Sequence, residues 1–434
     1  MTQINSKGKN DDLTRRQFIR KAGTTAAIAA AAGSVRVRAA TAGKSANDRL
    51  GVGVIGVGGR GNAHLQILKW MKDDGDNIEI VAVCDVYRPR MQKAADAYGA
   101  KGYMDHMELL ANPDVDIVTV ATCDHHHGYQ VIDAVKAGKG VYAEKPITHW
   151  RQFDLLKRMT EEVKKSGMTF QLGTQGMSDS AWRQMKQLVK DGLIGKPLHA
   201  ECGYFRVGDW GERGMPIDDP NAKPGKDLNW EAFLGDSPNR EFDVSRFFRW
   251  RMYEDYAGGP VTDLYPHSFT PVADIMNISM PSAVVATGGK YRYEEREVPD
   301  TFNMFVDYPQ GYSVAIMGTQ GNDYLAHGHR GAGSRIPVVR GWEGSLTIDI
   351  KTNKIIFIPV EGSKKKRQTF DIEHGEDMVN HMRNLVSCVR QGSQETFSPV
   401  DLAYRTQTAL IMGMWALRAG KTARFDMDKQ QIIL

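Results

Sequence analysis

Short apolar runs alternate with amphipathic segments in the first third of the chain. Four runs of strand length, "RLGVGVIGVG", "IEIVAVCD", "VDIVTVAT" and "GVYAEKP", are rich in valine and isoleucine. The segments between them carry apolar residues three and four positions apart, as a helix with one buried face requires. This alternation predicts βαβ units around a parallel sheet. We expect this first domain to cover residues 43–148.

A second pattern begins beyond a charged helix predicted at 150–166. From residue 197 onward, strand-like runs alternate polar and apolar residues, which predicts an antiparallel sheet with one covered face. These runs are "PLHAECGYFRV", "SAVVATGGKYRY", "TFNMFVDY", "YSVAIMGTQ", "GSLTIDI" and "KIIFIPV". We therefore predict an α/β protein whose second domain, residues 149–434, contains a mainly antiparallel sheet.

Two further features belong to that second domain. Residues 207–256 are rich in Asp, Pro, Gly and Trp, and a long irregular segment inside a compact domain is usually functional. Two helices are predicted at about 375–391 and 399–419, and we expect them to pack back on the first domain.

The N-terminus has the pattern of an export signal. "TRRQFIRKAG" precedes the apolar run "AGTTAAIAAAAG", which is shorter than the roughly 20 residues that span a bilayer as a helix. "ATA" at Ala40–Ala42 matches an A-x-A cleavage site. "TRRQFIR" resembles the twin-arginine (Tat) motif, which exports folded proteins. We expect residues 1–42 to be a twin-arginine signal peptide read by the Tat translocase, and the mature protein to be periplasmic or otherwise exported, with no membrane insertion.

Removal of that signal changes the charge. Residues 1–42 hold eight of the 56 basic and two of the 52 acidic residues, so the net charge falls from +4 to −2. A mature chain without excess positive charge gives no support for nucleic acid as a partner. The four cysteines, Cys84, Cys123, Cys202 and Cys388, match no metal spacing, and we expect them to be free, buried thiols.

A glycine motif follows the first predicted strand and opens a helix. Gly56 permits a tight turn, Gly58 allows a phosphate to approach the backbone, and Gly61 lets helix and strand pack closely. The helix N-terminus then offers free N–H groups to a pyrophosphate. This strand–turn–helix context predicts a Rossmann dinucleotide-binding domain.

The end of the second strand bears on cofactor choice. A carboxylate at Asp85 can accept the ribose hydroxyls of NAD and repel a 2′-phosphate. Arg88 lies near in sequence and could accept that phosphate, so NADP stays an alternative.

Three further groups are candidates for chemistry. Lys145, in "EKP", ends a parallel strand, where ligands of such sheets bind. Asp263 and His267 share one face if their segment is helical, and a His beside an Asp can accept a proton near neutral pH. The consecutive histidines of "DHHHG" point in different directions on any regular element, so we expect no metal site.

Taken together, these motifs resemble the glucose–fructose oxidoreductase/inositol dehydrogenase family, Gfo/Idh/MocA. "GVIGVGGRG", "VAVCD", "ATCDHHH", "AGKGVYAEKPIT" and "GGPVTDLYPH" occur in the family's order and spacing. "LNWEAFLGDSPNREFD" and "FFRWRMYEDYAGG" are similar to a subgroup of predicted sugar dehydrogenases. The resemblance covers residues 50 to about 420. It implies NAD(P), hydride transfer at a carbon bearing a hydroxyl, and a large open sheet that often builds dimers or tetramers.

The resemblance also assigns residues. It implies Lys145, Asp263 and His267 as the catalytic group, His127 beside the cofactor, and a cofactor- or substrate-facing turn at Gly173–Gln175. Cys123 stands where the family usually has proline. The candidate cofactor-binding residues are therefore Gly56, Gly58, Gly59, Arg60, Gly61, Asp85, Arg88, Thr122, His127, Glu144, Lys145 and Gln175. The candidate substrate-binding residues are Tyr265, Trp210, Trp230 and Tyr256, with Asp218, Asp219 and Tyr253 as further candidates for the wall of a sugar site.

Outside the cytoplasm there is no soluble pool of enzymes and nucleotides that would regenerate the cofactor of an exported protein. We therefore expect tightly bound, internally recycled NAD(P) in an oxidoreductase acting on a secondary hydroxyl of a sugar or glycoside. One alternative is an NAD-dependent glycoside hydrolase or lyase that works through a transient keto-sugar, as glycoside hydrolase family 109 does; Tyr265–Pro266–His267 is similar to its Tyr-Pro and nearby His. The other is a sugar-binding homologue without turnover.

Overall fold

A computed structural model describes residues 48–207, 215–326, 328–331 and 334–434. The predicted signal peptide, residues 1–42, lies outside this part of the chain.

The first sheet is parallel and lies at the centre of the N-terminal domain. Within the described residues it has six strands in the order β3-β2-β1-β4-β5-β6. Their bounds are β1 Leu50–Ile55, β2 Ile78–Cys84, β3 Lys101–Tyr103, β4 Ile117–Val120, β5 Gly140–Ala143 and β6 Phe170–Leu172. Every residue of β1, β4 and β5 is buried, because helices cover both faces of the sheet.

Five helices accompany these strands: α1 Gly59–Asp73, α2 Arg88–Tyr98, α3 His106–Leu110, α4 Asp124–Lys136 and α5 Phe153–Ser166. The helix α2 starts with a proline in its first turn and ends at Gly99, whose φ of 64° a residue with a side chain adopts with difficulty. The sheet continues past the expected domain end at residue 148. The helix α5 crosses over and returns the chain to β6, which pairs in parallel with β5.

A large open sheet forms the second domain. In the described part of the chain it has 13 strands, and ten of them follow the order β17-β16-β15-β14-β7-β10-β9-β8-β18-β19. The strands β11 and β13 also pair with β7, and β12 pairs with β13. All its pairs are antiparallel except β7 with β10. The predicted fold class is confirmed: a Rossmann domain is followed by an α/β domain with a mainly antiparallel sheet.

The strands of this sheet are β7 Pro197–Val207, β8 Ala283–Gly289, β9 Thr301–Tyr308, β10 Tyr312–Thr319, β11 Gly321–Asn322, β12 His329–Arg330, β13 Ser334–Arg335, β14 Val338–Gly341, β15 Gly344–Asp349, β16 Lys354–Pro359, β17 Gln368–Asp371, β18 Ala423–Asp426 and β19 Gln431–Ile433. Burial alternates along β9, where Phe302, Met304, Val306 and Tyr308 face the core. One face of the sheet is therefore covered, as the alternating sequence pattern indicates.

The second domain also contains helices α6 Ser180–Lys190, α7 Trp230–Leu234, α8 Val244–Phe248, α9 Pro260–Asp263, α10 Tyr265–Ile275, α11 Met378–Gln391 and α12 Val400–Ala419, and 3-10 turns at Gln175–Ser178 and Trp250–Met252. The helix α11 packs on the first domain, because Met382, Leu385 and Val386 join the core that surrounds β1. The helix α12 packs against α5, α10 and β8. No helix among the described residues is both long and apolar enough to cross a membrane.

Residues 215–259 form a segment that fastens the second domain to the first. The amide of Arg88 donates to the Asp227 carbonyl at 2.8 Å, and the amide of Asn229 donates to the Val86 carbonyl at 3.0 Å. An aromatic cluster that includes Phe233, Phe247 and Tyr256 packs beneath these bonds against Tyr87 and Cys123. Since Val86 and Cys123 lie two and three residues after the ends of β2 and β4, the segment lies beside the edge at which such sheets bind ligands.

Candidate active site

A cleft of about 1350 Å³ opens at the carboxyl ends of the parallel strands. The glycine turn and the ends of β2, β4 and β5 form one wall, and residues of the second domain form the other. A large cleft at this edge is where an open α/β sheet binds its ligand. Twelve predicted site residues line it: Gly56, Gly58, Gly59, Arg60, Asp85, Thr122, His127, Glu144, Lys145, Gln175, Asp263 and His267.

The glycine turn is shaped to receive a dinucleotide. Gly56 has φ 82°, and a Cβ on Gly61 would lie 1.8 Å from the Gly56 carbonyl oxygen, so both positions exclude a side chain. A Cβ on Gly58 would instead meet only the Arg90 guanidinium, at 3.5 Å, and one on Gly59 would meet nothing within 4 Å. No side chain caps the start of α1. The open space and the uncapped N–H groups fit the pyrophosphate of NAD.

Asp85 ends β2 at the ribose end of the cleft. Its carboxylate accepts N–H bonds from Val57 at 3.0 Å and Tyr87 at 2.9 Å. Burial raises the pKa of Asp85, although Arg90 and these two N–H bonds oppose that rise. The carboxylate is therefore held in place at the position from which a ribose hydroxyl is bound.

The structure separates the two arginines that follow Asp85. Arg88 does not line the cleft; it donates to the Lys226 carbonyl at 3.1 Å and lies 3.3 Å from Asp227. The structure therefore does not bring Arg88 into the cleft with the other predicted cofactor-binding residues, because its guanidinium bonds to the 215–259 segment. Arg90 lines the cleft instead, and its Nε donates to Asp218 at 2.5 Å.

Glu144 joins the glycine helix to the strand that carries the lysine. Its Oε1 accepts a 2.6 Å bond from Arg60 Nε and lies 2.9 Å from His64 Nε2, and Arg60 also donates to Gln175 at 3.3 Å. Burial opposes the charge of Glu144, but Arg60 and His64 outweigh it and hold its pKa well below the usual range. A charged Glu144 therefore fixes Arg60 at the floor of the cleft.

Lys145 and Asp263 meet in the same cleft although they are far apart in sequence. Lys145 Nζ donates to the Asp263 carboxylate at 3.1 Å and to the backbone carbonyl of the same residue. Arg251 Nε donates to the same carboxylate oxygen at 3.1 Å. Burial alone would raise the pKa of Asp263, but Lys145 and Arg251 hold it well below its ordinary value. Arg251 was not predicted, because nothing in "FFRWRMYEDY" distinguishes it from its arginine neighbours.

His267 lines the cleft without the predicted aspartate bond. The helix α9 ends at Asp263 and α10 begins at Tyr265, so a break at Leu264, with φ −113°, separates the two side chains. Among the described residues, the Asp263 side chain bonds to Lys145 and Arg251 and not to His267. Burial and then Lys145 lower the pKa of His267 to about 3. The imidazole is therefore neutral at pH 7 and has a ring nitrogen free of a proton, but burial and Lys145 disfavour its protonation.

The three consecutive histidines differ in role. Both ring nitrogens of His127 lie near carbonyls, Nδ1 2.6 Å from Pro146 O and Nε2 3.2 Å from Thr122 O, and the ring lines the cleft. The Nε2 atoms of His125 and His126 both lie within 2.9 Å of the Phe233 carbonyl. In the described residues no group of three or more His, Cys, Asp or Glu side chains could hold a metal ion.

Asp124 is a second buried carboxylate that the sequence did not indicate. It begins α4 and is 3% exposed. Burial raises its pKa to about 7, with Arg251 opposing and Asp263 adding to the rise. Asp124 thus lies in the same electrostatic group as Arg251, Asp263 and Lys145.

Three of the four predicted substrate-binding residues lie away from the cleft. Tyr265 is fully buried in the core, and its hydroxyl donates to the Phe302 carbonyl. Trp230 and Tyr256 are buried in the aromatic cluster, where Trp230 Nε1 donates to the Arg240 carbonyl at 2.8 Å. None of these three lines the cleft. The rings of Trp230 and Tyr256 pack in the core of the 215–259 segment, and the ring of Tyr265 packs in the core beneath the second sheet. Trp210 lies outside the described residues.

The remaining candidates of the sugar wall are also accounted for. Asp218 lines the cleft beside Arg90, whereas Asp219 accepts the amide of Asn221 at 2.8 Å within its own turn. Tyr253 donates to the Ser245 hydroxyl at 2.8 Å. Among the described residues, Tyr204 and Trp250 are aromatic side chains that do line the cleft.

Comparison with known families gives two matches. Residues 50–174 match the model of the Gfo/Idh/MocA oxidoreductase family's NAD-binding Rossmann fold, and residues 178–333 match the model of that family's C-terminal α/β domain. The two matched ranges follow one another along the chain in the order of the two domains described above.

Among individual proteins, the chain is 34% identical to a myo-inositol 2-dehydrogenase of Thermotoga maritima over 212 residues, which is 48% of this chain and 58% of that enzyme. The chain spans about half the length of the first inositol dehydrogenases it matches. A levoglucosan dehydrogenase solved with NADH and levoglucosan superposes with a TM-score of 0.63 at 17% identity, covering 87% of this chain and 99% of that one. The WlbA dehydrogenase of Bordetella pertussis, solved with NADH and UDP-GlcNAcA, gives a TM-score of 0.63 at 17% identity over 88% and 100% of the two chains. These two structures show the shared fold.

Proposed function

Because the chain belongs to the Gfo/Idh/MocA oxidoreductase family, we propose that it is an NAD-dependent oxidoreductase acting on a secondary hydroxyl of a sugar or glycoside. One observation carries this proposal: Lys145, Asp263 and His267 line the same cleft as the glycine turn and Asp85. Alcohol oxidation by hydride transfer requires a proton acceptor, a hydrogen-bond donor to the developing alkoxide and a dinucleotide site. The substrates named for the relatives, inositol and sugar derivatives, support the substrate class.

Lys145 is positioned to bind the reacting oxygen. An ammonium group has three N–H donors, and Asp263 accepts two of them. The third is left for the substrate hydroxyl, whose oxygen gains negative charge as the proton leaves. A fixed donor at that atom stabilises the developing charge in a site that excludes water. Asp263 therefore holds Lys145 in position, and Arg251 in turn holds Asp263.

His267 is the proposed proton acceptor. Its imidazole is neutral at pH 7, since burial and Lys145 both disfavour the protonated ring. A ring nitrogen of His267 takes the proton of the substrate hydroxyl. When bound in the cleft, the nicotinamide of NAD supplies the acceptor for the hydride that leaves the same carbon. Glu144 holds Arg60, and with it the start of α1, in place throughout.

The variant His267→Ala tests this assignment. We expect turnover of the active sugar to fall by about 10²–10⁴-fold, as for loss of a general base, while NAD binding is unchanged. His199→Ala is the matched control, because His199 lies on β7 and does not line the cleft. Its Nδ1 lies 2.9 Å from the Ser313 hydroxyl on β10. Turnover would be followed at 340 nm over a panel of inositols, sugars and glycosides. An unaffected His267→Ala enzyme would refute the assignment, and a wild-type protein that binds sugars but never reduces NAD would support the binding-protein alternative.

The position of Tyr265 favours the dehydrogenase over the glycosidase. A family 109-like reaction was predicted partly from Tyr265–Pro266–His267, but the Tyr265 hydroxyl donates to the Phe302 carbonyl in the core. A tyrosine held there contributes no group to the cleft. Release of an aglycone without net NADH would nevertheless identify the glycosidase, and it is measured in the same assay.

We propose that NAD is held tightly and that the protein is exported through the twin-arginine pathway. The 215–259 segment supports retention, since its bonds to Val86 and Arg88 lie beside the ribose end of the cleft. Mass spectrometry of nucleotide released from the exported protein tests retention, and N-terminal sequencing of that protein tests cleavage near Ala42. Absence of bound nucleotide would leave an ordinary dehydrogenase that needs added NAD(P).

We also propose a dimer or tetramer built through the open sheet. Val285 and Phe305 are directly paired across β8 and β9, and they are 46% and 50% exposed. Paired apolar side chains on the uncovered face of a sheet are typical of an interaction surface. Light scattering after size-exclusion chromatography tests this, and a monomer at micromolar concentration would contradict it.

A further inference from the structure

Asp218 occupies an unexpected place in the cleft. It belongs to the 215–259 segment of the second domain, yet its carboxylate accepts a 2.5 Å bond from Arg90 Nε on the Rossmann domain. Arg90 lies over the Phe248 ring, 5.0 Å from its centre, and its Nη1 would be the nearest atom to a Cβ on Gly58. Its guanidinium thus extends from α2 to the phosphate turn.

Arg90 therefore lies between two carboxylates. Asp218 bonds to it directly, and Asp85 interacts electrostatically with both Arg90 and Asp218. Lys93 also lines the cleft, but it is exposed and is not among the groups that act on Asp85. Arg88 is bonded to the Lys226 carbonyl outside the cleft.

The chemistry of the two cofactors differs at this end of the cleft. NADP carries a phosphate where NAD carries the ribose 2′-hydroxyl, and enzymes that accept NADP place an arginine near that phosphate. An arginine suits this task because its fork of N–H donors matches a phosphate. In this protein Arg90 lines the cleft and acts electrostatically on Asp85, and its Nε donates to Asp218.

We propose that Asp218 is a specificity-determining residue that excludes NADP by holding Arg90 and adding a second negative charge beside Asp85. The residue would act on cofactor choice and not, as the sequence suggested, on the sugar. This inference rests on the proposed use of NAD. It assigns to the 215–259 segment a part in selecting the cofactor.

The test is the ratio of NADP to NAD affinity in the full-length exported protein after removal of bound nucleotide. Affinities for NADH and NADPH would be measured by the change in their fluorescence on binding, which needs no substrate. We expect Asp218→Asn to shift the ratio toward NADPH by about tenfold, which is about 1.4 kcal/mol, mainly by tightening NADPH binding. Asp219→Asn is the matched control, because that neighbouring carboxylate accepts the Asn221 amide of its own turn and does not line the cleft.

A second variant identifies the cause. If the gain comes from Arg90, the double variant Asp218→Asn/Arg90→Ala should lose most of it. A ratio in Asp218→Asn within twofold of wild type, or equal to that in Asp219→Asn, would overturn the inference while leaving NAD use intact. Wild-type protein that binds neither dinucleotide would overturn the proposed function and this inference together. A wild type that already prefers NADPH would overturn the inference and the proposed use of NAD, while leaving the oxidoreductase assignment intact.

Discussion

The variant Asp263→Asn removes one charge and little else. The amide has the shape of the carboxylate and keeps an oxygen for Lys145 and Arg251, but the two cations lose their counter-charge. Breaking a buried ion pair costs about 3–5 kcal/mol when a whole partner is removed. Here the Lys145 bond to the Asp263 backbone carbonyl persists. Asp124 also ionises more readily once the charge of Asp263 is gone, since that charge raises its pKa. We therefore expect the free energy of unfolding to fall by about 2 kcal/mol at pH 7.

The sign of the pH dependence follows from the depressed pKa of Asp263. A carboxylate whose pKa is lower in the folded state stabilises the protein above its unfolded pKa, about 3.9 for Asp, and loses that contribution as the pH falls toward the folded pKa. The part of the difference between wild type and Asp263→Asn that comes from the Asp263 carboxylate should thus be constant from pH 5 to pH 6 and smaller by about 1 kcal/mol at pH 3.

Urea unfolding followed by tryptophan fluorescence measures both quantities. Asp274→Asn is the control, because Asp274 lies on α10 and pairs at 2.7 Å with Lys186, whose side chain is 46% exposed. Such surface pairs contribute up to about 1 kcal/mol. The reasoning is wrong if Asp263→Asn costs no more than Asp274→Asn at pH 7, or if its cost is as large at pH 3 as at pH 5.

Two further predictions concern the glycine turn and the thiols. Gly61→Ala should abolish NADH binding, since its Cβ would lie 1.8 Å from the Gly56 carbonyl oxygen. Gly59→Ala should bind NADH as wild type does, because a Cβ there has no other atom within 4 Å. Equal binding by both variants would contradict the close packing of the turn. All four cysteines are free and buried, and burial raises the pKa of each thiol. A thiol reagent such as DTNB should therefore label none of them in the native protein at pH 8 and all four in denaturant, and rapid labelling of the native protein would count against this packing.

Much of the fold could be predicted because its signals are local. The buried valine-rich runs identify the parallel strands, and alternating burial along β9 identifies the second sheet. The glycine turn is also local, since Gly56 and Gly61 are close in sequence and both restrict the backbone for reasons a motif captures.

The site was less predictable where side-chain direction depends on distant packing. Tyr265 precedes His267 by two residues, yet the break at Leu264 and the core around Phe302 direct it away from the cleft. Trp230 and Tyr256 resemble sugar-stacking residues in the sequence, but the 215–259 segment needs their rings for its own core.

Contacts between remote residues were also beyond the sequence. The bonds of Arg251 to Asp263 and of Arg90 to Asp218 join residues on different elements, and no periodicity or motif relates them. The partner of a carboxylate or arginine in an irregular segment can be identified only from the folded structure.

The helix α11 lies near the C-terminus of the sequence but packs in the core of the N-terminal domain. Met382, Leu385 and Val386 pack against β1, and Arg390 donates to the backbone carbonyls of Asp48 and Asn77 at 2.8 Å each. The core around β1 is therefore incomplete until α11 has been synthesised, more than 300 residues after Asp48. A truncated product that ends before Met378 would expose the apolar face of this domain, which marks it for chaperones and proteases.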